Sequence, residues 1–167
     1  MLSRHLLCGL VALASALGAV GAHAQGLIST HRIPAELAGE AVMAAVAKCA
    51  GQGYAETAVL VDADGVRQAV LRGDKAGGHT LDSAFSKAYT AASFKADTSA
   101  LVERSKTNPA LANLLNRLPN LVLFGGGIVI KAGDEVVGAI GAAGAPGAEL
   151  DDACARAGLE KIQDQLK

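Results

Sequence analysis

Aromatic side chains and excess charge are the features this sequence has least of. Tryptophan is absent, phenylalanine and tyrosine together make up 3% of the 167 residues, and the formal net charge is −1. Nucleic-acid-binding proteins usually combine a basic surface with aromatic side chains that stack on bases, so this class is excluded. Intrinsic disorder is excluded as well, because 51% of the residues are apolar and the net charge is small.

Small residues take the place of the missing bulk. Alanine occurs 35 times and glycine 20 times. Backbone and small side chains must therefore fill much of the core, and helices can lie close on a sheet. We expect any flat ligand to be held by backbone, small side chains and a second subunit.

Sequence motifs for nucleotide binding and for hydrolysis are also missing. The glycine run at 125–127 and the later glycines do not form a dinucleotide fingerprint, and there is no P-loop or G-x-S-x-G motif. The segment Asp62-Ala63-Asp64-Gly65 lacks the third oxygen ligand and the glutamate of an EF-hand calcium loop. This segment is instead typical of a hairpin turn.

The first 24 residues have the pattern of a secretory signal peptide. Arg4 precedes an apolar run over residues 6–20, and Ala22-His23-Ala24 supplies the small residues of a cleavage site before Gln25. The run of about 15 residues is shorter than the roughly 20 that cross a membrane. We therefore expect a periplasmic or secreted protein. Its mature chain, residues 25–167, is predicted to be a single domain of net charge −2, since Arg4 is the only charged residue removed.

Secretion affects how the cysteines are interpreted. Cys8 is removed with the signal peptide, which leaves Cys49 and Cys154. An oxidising compartment favours a disulfide between these two residues. The alternative is a pair of buried thiols on separate helices.

Apolar periodicity and turn residues predict the element order α-β-β-α-α-α-β-β-β-α. Strands are predicted at 56–61, 66–71, 121–124, 128–131 and 136–140. Helices are predicted at 34–50, from a cap at Thr80 or Asp82 to Lys95, from about Thr98, from about Pro109, and at 149–166. The predicted fold class is therefore α+β, with a five-stranded antiparallel sheet and helices packed on it.

Only two histidines, His31 and His79, remain in the mature chain. Two imidazoles cannot build a three-histidine zinc site. His79 lies where a glycine-rich loop meets a helix, so its ring either faces a cavity or hydrogen bonds to the helix start. His31 precedes the first helix, where a solvated side chain is the default interpretation.

Five ordered segments of the chain resemble the GlcG/HbpS family. They are VDADG at 61–65, RGDKAGGHT at 72–80, KAYTA at 87–91, GGIVI at 126–130 and VGAIGAAG at 137–144. The resemblance extends from about Pro34 to Ile162. It implies a profilin-like α+β fold with a five-stranded antiparallel sheet, and self-assembly into dimers or larger rings. It also implies haem binding, and some members of the family are extracellular haem sensors or haem-degrading proteins.

This resemblance makes haem the expected cofactor. A porphyrin needs an axial donor to iron, a flat apolar slot and cations for its propionates. The candidates are His79 or His31 as the iron ligand, Phe85 and Tyr89 for the slot, and Arg72 and Lys75 for the propionates. Because the mature chain has only five aromatic residues, we expect a shallow or intersubunit site.

Three functions stay open on the sequence. The leading hypothesis is a secreted, oligomeric module that binds haem or a related tetrapyrrole, without catalysis or as a sensor. The alternatives are an enzyme of haem degradation or small-molecule oxidative metabolism, and a ligand-free accessory assembly protein. We expect no nucleic-acid partner, and no membrane association after signal cleavage.

Overall fold

The computed structural model describes Gly26 and residues 28–166. The predicted signal peptide lies outside these residues. The helices are α1 (Ala35–Ala50), α2 (His79–Phe94), α3 (Thr98–Lys106), α4 (Pro109–Arg117) and α5 (Ala148–Ile162), which continues into a short 3-10 turn, Gln163–Gln165. The strands are β1 (Thr57–Asp62), β2 (Arg67–Arg72), β3 (Gly127–Ala132) and β4 (Glu135–Ala143).

The four strands form one antiparallel sheet in the order β2-β1-β4-β3. Two hairpins, β1–β2 and β3–β4, are joined through the pairing of β1 with β4. Helices α1 and α5 pack together over one face of the sheet, and α2 covers the other face. The predicted α+β class with an antiparallel sheet is confirmed.

The first hairpin is closed by the turn that the sequence predicts. One carboxylate oxygen of Asp62 accepts hydrogen bonds from the backbone N–H groups of Asp64 and Val66, at 3.0 and 2.9 Å. Gly65 has a φ of +81°, a conformation that glycine adopts without strain. The side chain of Asp62 therefore organises a turn.

The prediction of a fifth strand at 121–124 is wrong. This segment belongs to no strand or helix and pairs with no strand among the described residues, and the N–H of Val122 donates to Thr90 Oγ1 on α2 at 3.0 Å. The segment lies against α2 instead of joining the sheet. The sheet therefore has four strands.

The ends of two helices also differ from the prediction. Helix α2 begins at His79 after an N-cap at Gly78 with no side-chain cap, because Thr80 Oγ1 instead donates to the carbonyl of Gly77 and contacts Thr57 Oγ1. Helix α5 ends at Ile162 rather than near Leu166. The hydroxyl of Thr80 thus ties α2 to β1 instead of capping the helix.

Small residues bring the helices close to the sheet and to each other. A Cβ atom added to Gly141 on β4 would lie 2.6 Å from the backbone nitrogen of Ala88 on α2. On the other face, α1 and α5 are joined by the disulfide between Cys49 and Cys154, whose Cα atoms are 5.7 Å apart. The disulfide prediction is confirmed, and both cysteines are fully buried.

Among the residues that the structure describes, no helix combines the length and apolar character that a membrane span requires.

Candidate functional site

The pairing of β1 with β2 separates the predicted site residues into two groups. Arg72 lies opposite Thr57 at one end of the hairpin, and Arg67 lies opposite Val61 at the other end. The two ends are roughly 17 Å apart at about 3.3 Å per residue. Residues placed near the two ends cannot all contact one iron atom.

Arg72, Lys75 and His79 lie at the Thr57 end, on the loop between β2 and α2 and at its borders. Arg72 donates to the carbonyl of Ala76 at 2.6 Å, which holds the loop in a fixed conformation. The ring of His79 packs against Gly77, where an added Cβ would lie 2.7 Å from Cε1. All three predicted side chains are exposed, and they lie on one loop and its two borders.

His31 lies at the opposite end of the sheet. Its Nδ1 is 2.7 Å from a carboxylate oxygen of Glu135, at the start of β4, and both side chains are exposed. The hydrogen bond with His31 lowers the pKa of Glu135. Arg32, the next residue, pairs with Asp62 at the far end of β1. His31 therefore lies at the opposite end of the sheet from His79.

Phe85 and Tyr89 follow along α2, and their ring centroids are 5.6 Å apart. The guanidinium of Arg67 lies 3.4 Å above the centroid of Phe85, whose residue is only 8% exposed. Phe85 is therefore covered by a cation instead of lining an open slot.

Tyr89 packs against the turn at Gly65. It also lines a cavity of about 350 Å³ between α2 and the chain that follows α4, together with Ser93, Phe94, Leu118, Pro119 and Leu121. This cavity is separate from the loop that carries His79.

An exposed surface lies beside α2, where the helix leaves β2 uncovered. Residues directly opposite each other in a sheet share a face, and Val59, which is buried under α2, is opposite Val70. Val70 is nonetheless 46% exposed. We call this surface the α2–β2 face, and it consists of Arg67, Val70, Arg72, His79 and Leu81, with Phe85 buried beneath Arg67.

The two elements meet along this face through specific contacts. Arg67 on β2 stacks on Phe85 and lies 3.9 Å from Asp82, which shows which side of α2 faces the strand. His79, Asp82 and Phe85 follow at three-residue intervals, so their side chains are neighbours on the helix surface. Leu81 adds a further exposed apolar side chain. The face thus combines two exposed apolar side chains with two arginines and one imidazole.

Sequence reasoning missed Arg67, Val70 and Leu81. The sequence could have indicated Val70, because side chains alternate along β2 and place Val70 on the same side as Arg72. The contact of Arg67 with Phe85 joins β2 to α2, and no local sequence pattern shows how close these two elements lie. No cluster of three or more histidine, cysteine or acidic side chains suited to a metal ion occurs within the described part of the chain.

The architecture defines a class of protein: an α+β domain with helices on both faces of an antiparallel sheet and an edge strand left open. Residues 33–160 match the family described as haem degrading protein HbpS-like. The chain belongs to this family.

Solved structures give the same result. A double mutant of HbpS from Streptomyces reticuli is 36% identical to this chain with a TM-score of 0.76, and the match covers 87% of this chain and 97% of that one. A PduOC:haem complex is 25% identical with a TM-score of 0.73, covering 79% and 96% of the two chains. The Klebsiella pneumoniae protein ORFY, at 24% identity and a TM-score of 0.73 over 83% and 98%, shares the fold. No curated protein matches this chain.

Proposed function

We propose that this protein binds haem on the α2–β2 face, with His79 as the candidate iron ligand, and that it does so without turnover of its own. The observation that carries the proposal is a surface on which two apolar side chains, Val70 and Leu81, are exposed together with Arg67, Arg72 and His79. Family membership and the likeness to a protein solved as a haem complex support the ligand class.

The residues present fit the chemistry of the group. A porphyrin face is apolar and flat, and Val70 and Leu81 offer exposed apolar contact without a deep pocket. Propionates are carboxylates, which guanidinium groups bind through charge-assisted hydrogen bonds. Arg72 uses one N–H on Ala76 and keeps the others. Bound haem would supply the iron centre, and this chain would supply the imidazole, the apolar contact and the cations.

A spectral titration tests the proposal. Hemin is added to the purified protein starting at Gln25, and the Soret band is followed. We expect a shifted band in the parent and in His31→Ala, because His31 lies at the far end of the sheet beside Glu135. His79→Ala should lose the shift. A spectrum of free pigment at saturating hemin would contradict haem binding and favour a ligand-free assembly protein, and a loss in His31→Ala alone would contradict the location.

Haem degradation is the second candidate function, favoured by the description of the family. Under this alternative, the haem-loaded protein loses its Soret absorbance in the presence of peroxide faster than free hemin does. Under our proposal the two rates are equal.

We further propose that the protein is secreted or periplasmic and that it forms a homo-oligomer. The signal-like leader supports the first statement, and the resemblance to the GlcG/HbpS family implies the second. Mass spectrometry of the exported chain should give an N-terminus at Gln25. Light scattering should give at least twice the mass of residues 25–167, and a monomer at working concentration would contradict the oligomer.

A further inference from the structure

A buried ion pair joins three elements at one end of the sheet. Lys87 of α2 is only 2% exposed, and its Nζ lies 2.5 Å from a carboxylate oxygen of Asp151 on α5. The same Nζ donates to the carbonyl of Ala142 on β4 at 3.0 Å. The other oxygen of Asp151 accepts from the backbone N–H of Ala145 at 3.0 Å. One ammonium group therefore holds α2, β4 and the start of α5 together.

The glycine run at 125–127 covers this ion pair. A Cβ atom added to Gly126 would lie 2.8 Å from Lys87 Nζ and 2.8 Å from Asp151 Cβ, so only a glycine fits. The N–H of Gly126 donates to the carboxylate of Asp152. Just before the run, the ring of Phe124 lies 5.0 Å from Lys87 Nζ and is 49% exposed. A half-exposed ring and a segment without side chains thus lie next to the ammonium.

A second carboxyl group, that of Glu56, is buried beside the ion pair. Glu56 is 1% exposed, and its carboxyl lies beside the carboxyl of Asp151 and the backbone of Ala145 without a hydrogen bond of ordinary geometry to any described residue. Burial, followed by the neighbouring charge of Asp151, raises the pKa of Glu56 to about 8, against a smaller lowering by Lys87. On the β2 side, Arg72 and Asp74 line the same cavity of about 260 Å³ as Glu56.

The charge balance of this cluster depends on one proton. With Glu56 protonated, Asp151 and Lys87 form a neutral pair. With Glu56 ionised, two carboxylates share one ammonium in a desolvated site, and this excess charge is costly unless water enters. The segment 124–127 lies against this cluster.

We propose that Glu56, Asp151 and Lys87 form a proton-dependent clamp. The protonated carboxyl of Glu56 keeps the start of α5 and residues 124–127 packed on Lys87. Loss of that proton in alkaline solution loosens this packing and admits water. None of the three clamp residues belongs to the α2–β2 face, and Arg72 of that face lines the same cavity as Glu56.

The absence of tryptophan from the chain provides a clean reporter. In a Phe124→Trp variant, the single indole lies over the clamp at a position that is already half exposed. We expect its emission to shift to longer wavelength between pH 6 and 9.5, with a midpoint near pH 8, the pKa of Glu56. An unchanged emission over this range would overturn the proposal.

Two further variants assign the titrating group. Adding Glu56→Gln to Phe124→Trp should abolish the transition, whereas adding Glu160→Gln, which changes an exposed glutamate of α5, should leave it in place. A transition that persists without Glu56 would also overturn the proposal. If Glu56→Gln does not fold, carbon-13 NMR of glutamate carboxyls in the parent decides, because the clamp requires one of them to titrate near pH 8.

Discussion

At the scale of single residues, the buried charges of Lys87, Asp151 and Glu56 set the strongest constraint on the interior. Sequence periodicity could have indicated that Lys87 is buried, because it lies three residues after Ala84 and four before Ala91 on the covered side of α2. Its partner could not have been found this way. Asp151 is 64 residues further along, and only the packing of α5 brings the two together.

We predict that Lys87→Met destabilises the protein by about 3–5 kcal/mol, because it leaves the carboxylate of Asp151 buried without its cation. Chemical denaturation measures the free energy of unfolding. The matched control is Lys161→Met, whose exposed amine lies 3.5 Å from Glu40 and whose loss should cost at most about 1 kcal/mol. Equal effects of the two substitutions would contradict the buried role of Lys87.

We predict that Glu56 makes stability depend on pH. Its pKa in the folded state, about 8, lies above the ordinary value of 4.5, so the folded chain holds a proton that the unfolded chain releases. This contribution is complete below pH 4.5 and is lost as the pH rises to about 8. Glu56→Gln should therefore become more stable relative to the parent from pH 5 to pH 8. A stability difference that is constant across this range would contradict the assigned shift.

At the scale of elements, packing depends on small residues at helix–sheet contacts. The high alanine and glycine content indicated such packing, and the contact of Gly141 with α2 is an instance of it. The fifth strand was predicted wrongly at 121–124 because composition shows β-propensity but not the partner of a backbone N–H. In this protein that partner is a threonine hydroxyl on α2.

We predict opposite effects for two glycine-to-alanine substitutions. Gly141→Ala should cost about 1–3 kcal/mol, since the new methyl group collides with the backbone of α2. Gly39→Ala, in the middle of α1 with no atom within 4 Å of the new Cβ, should stabilise by up to about 1 kcal/mol. Thermal denaturation of both variants measures the difference. A Gly141→Ala variant as stable as the parent would show that α2 does not pack this closely.

We predict that the disulfide between α1 and α5 contributes on the order of 4–5 kcal/mol, because it links residues 105 positions apart in the chain. Replacing Cys49 and Cys154 by alanine should lower the urea midpoint accordingly. Reductant added to the unfolded parent should reproduce the effect and should leave the variant unchanged. An equal urea midpoint for the parent and the double alanine variant would contradict this contribution of the disulfide.

At the scale of the whole molecule, the sequence predicted the fold better than the site. Local patterns and the family resemblance predict the helices, both hairpins and the loop that carries Arg72, Lys75 and His79. They could not show that His31 lies at the opposite end of the sheet, or that Arg67 covers Phe85, because both facts follow from strand register and helix placement.

Under the proposed function, the open face accounts for how a chain poor in aromatic residues would hold a flat ligand. Val70 and Leu81 supply exposed apolar area, and the edge strand β2 leaves room beside α2. A second copy of the chain laid against this face would complete the site. The proposed function therefore depends on where haem binds.

Paramagnetic broadening in nitrogen-15 NMR tests the proposed location of haem, because ferric haem broadens the amide signals of nearby residues. After hemin is added, we predict selective loss of signals from residues 67–72 and 79–85, with the signals of α1 retained. Loss centred on His31 and Glu135, or on the cavity lined by Phe94 and Leu118, would contradict the α2–β2 face as the haem site.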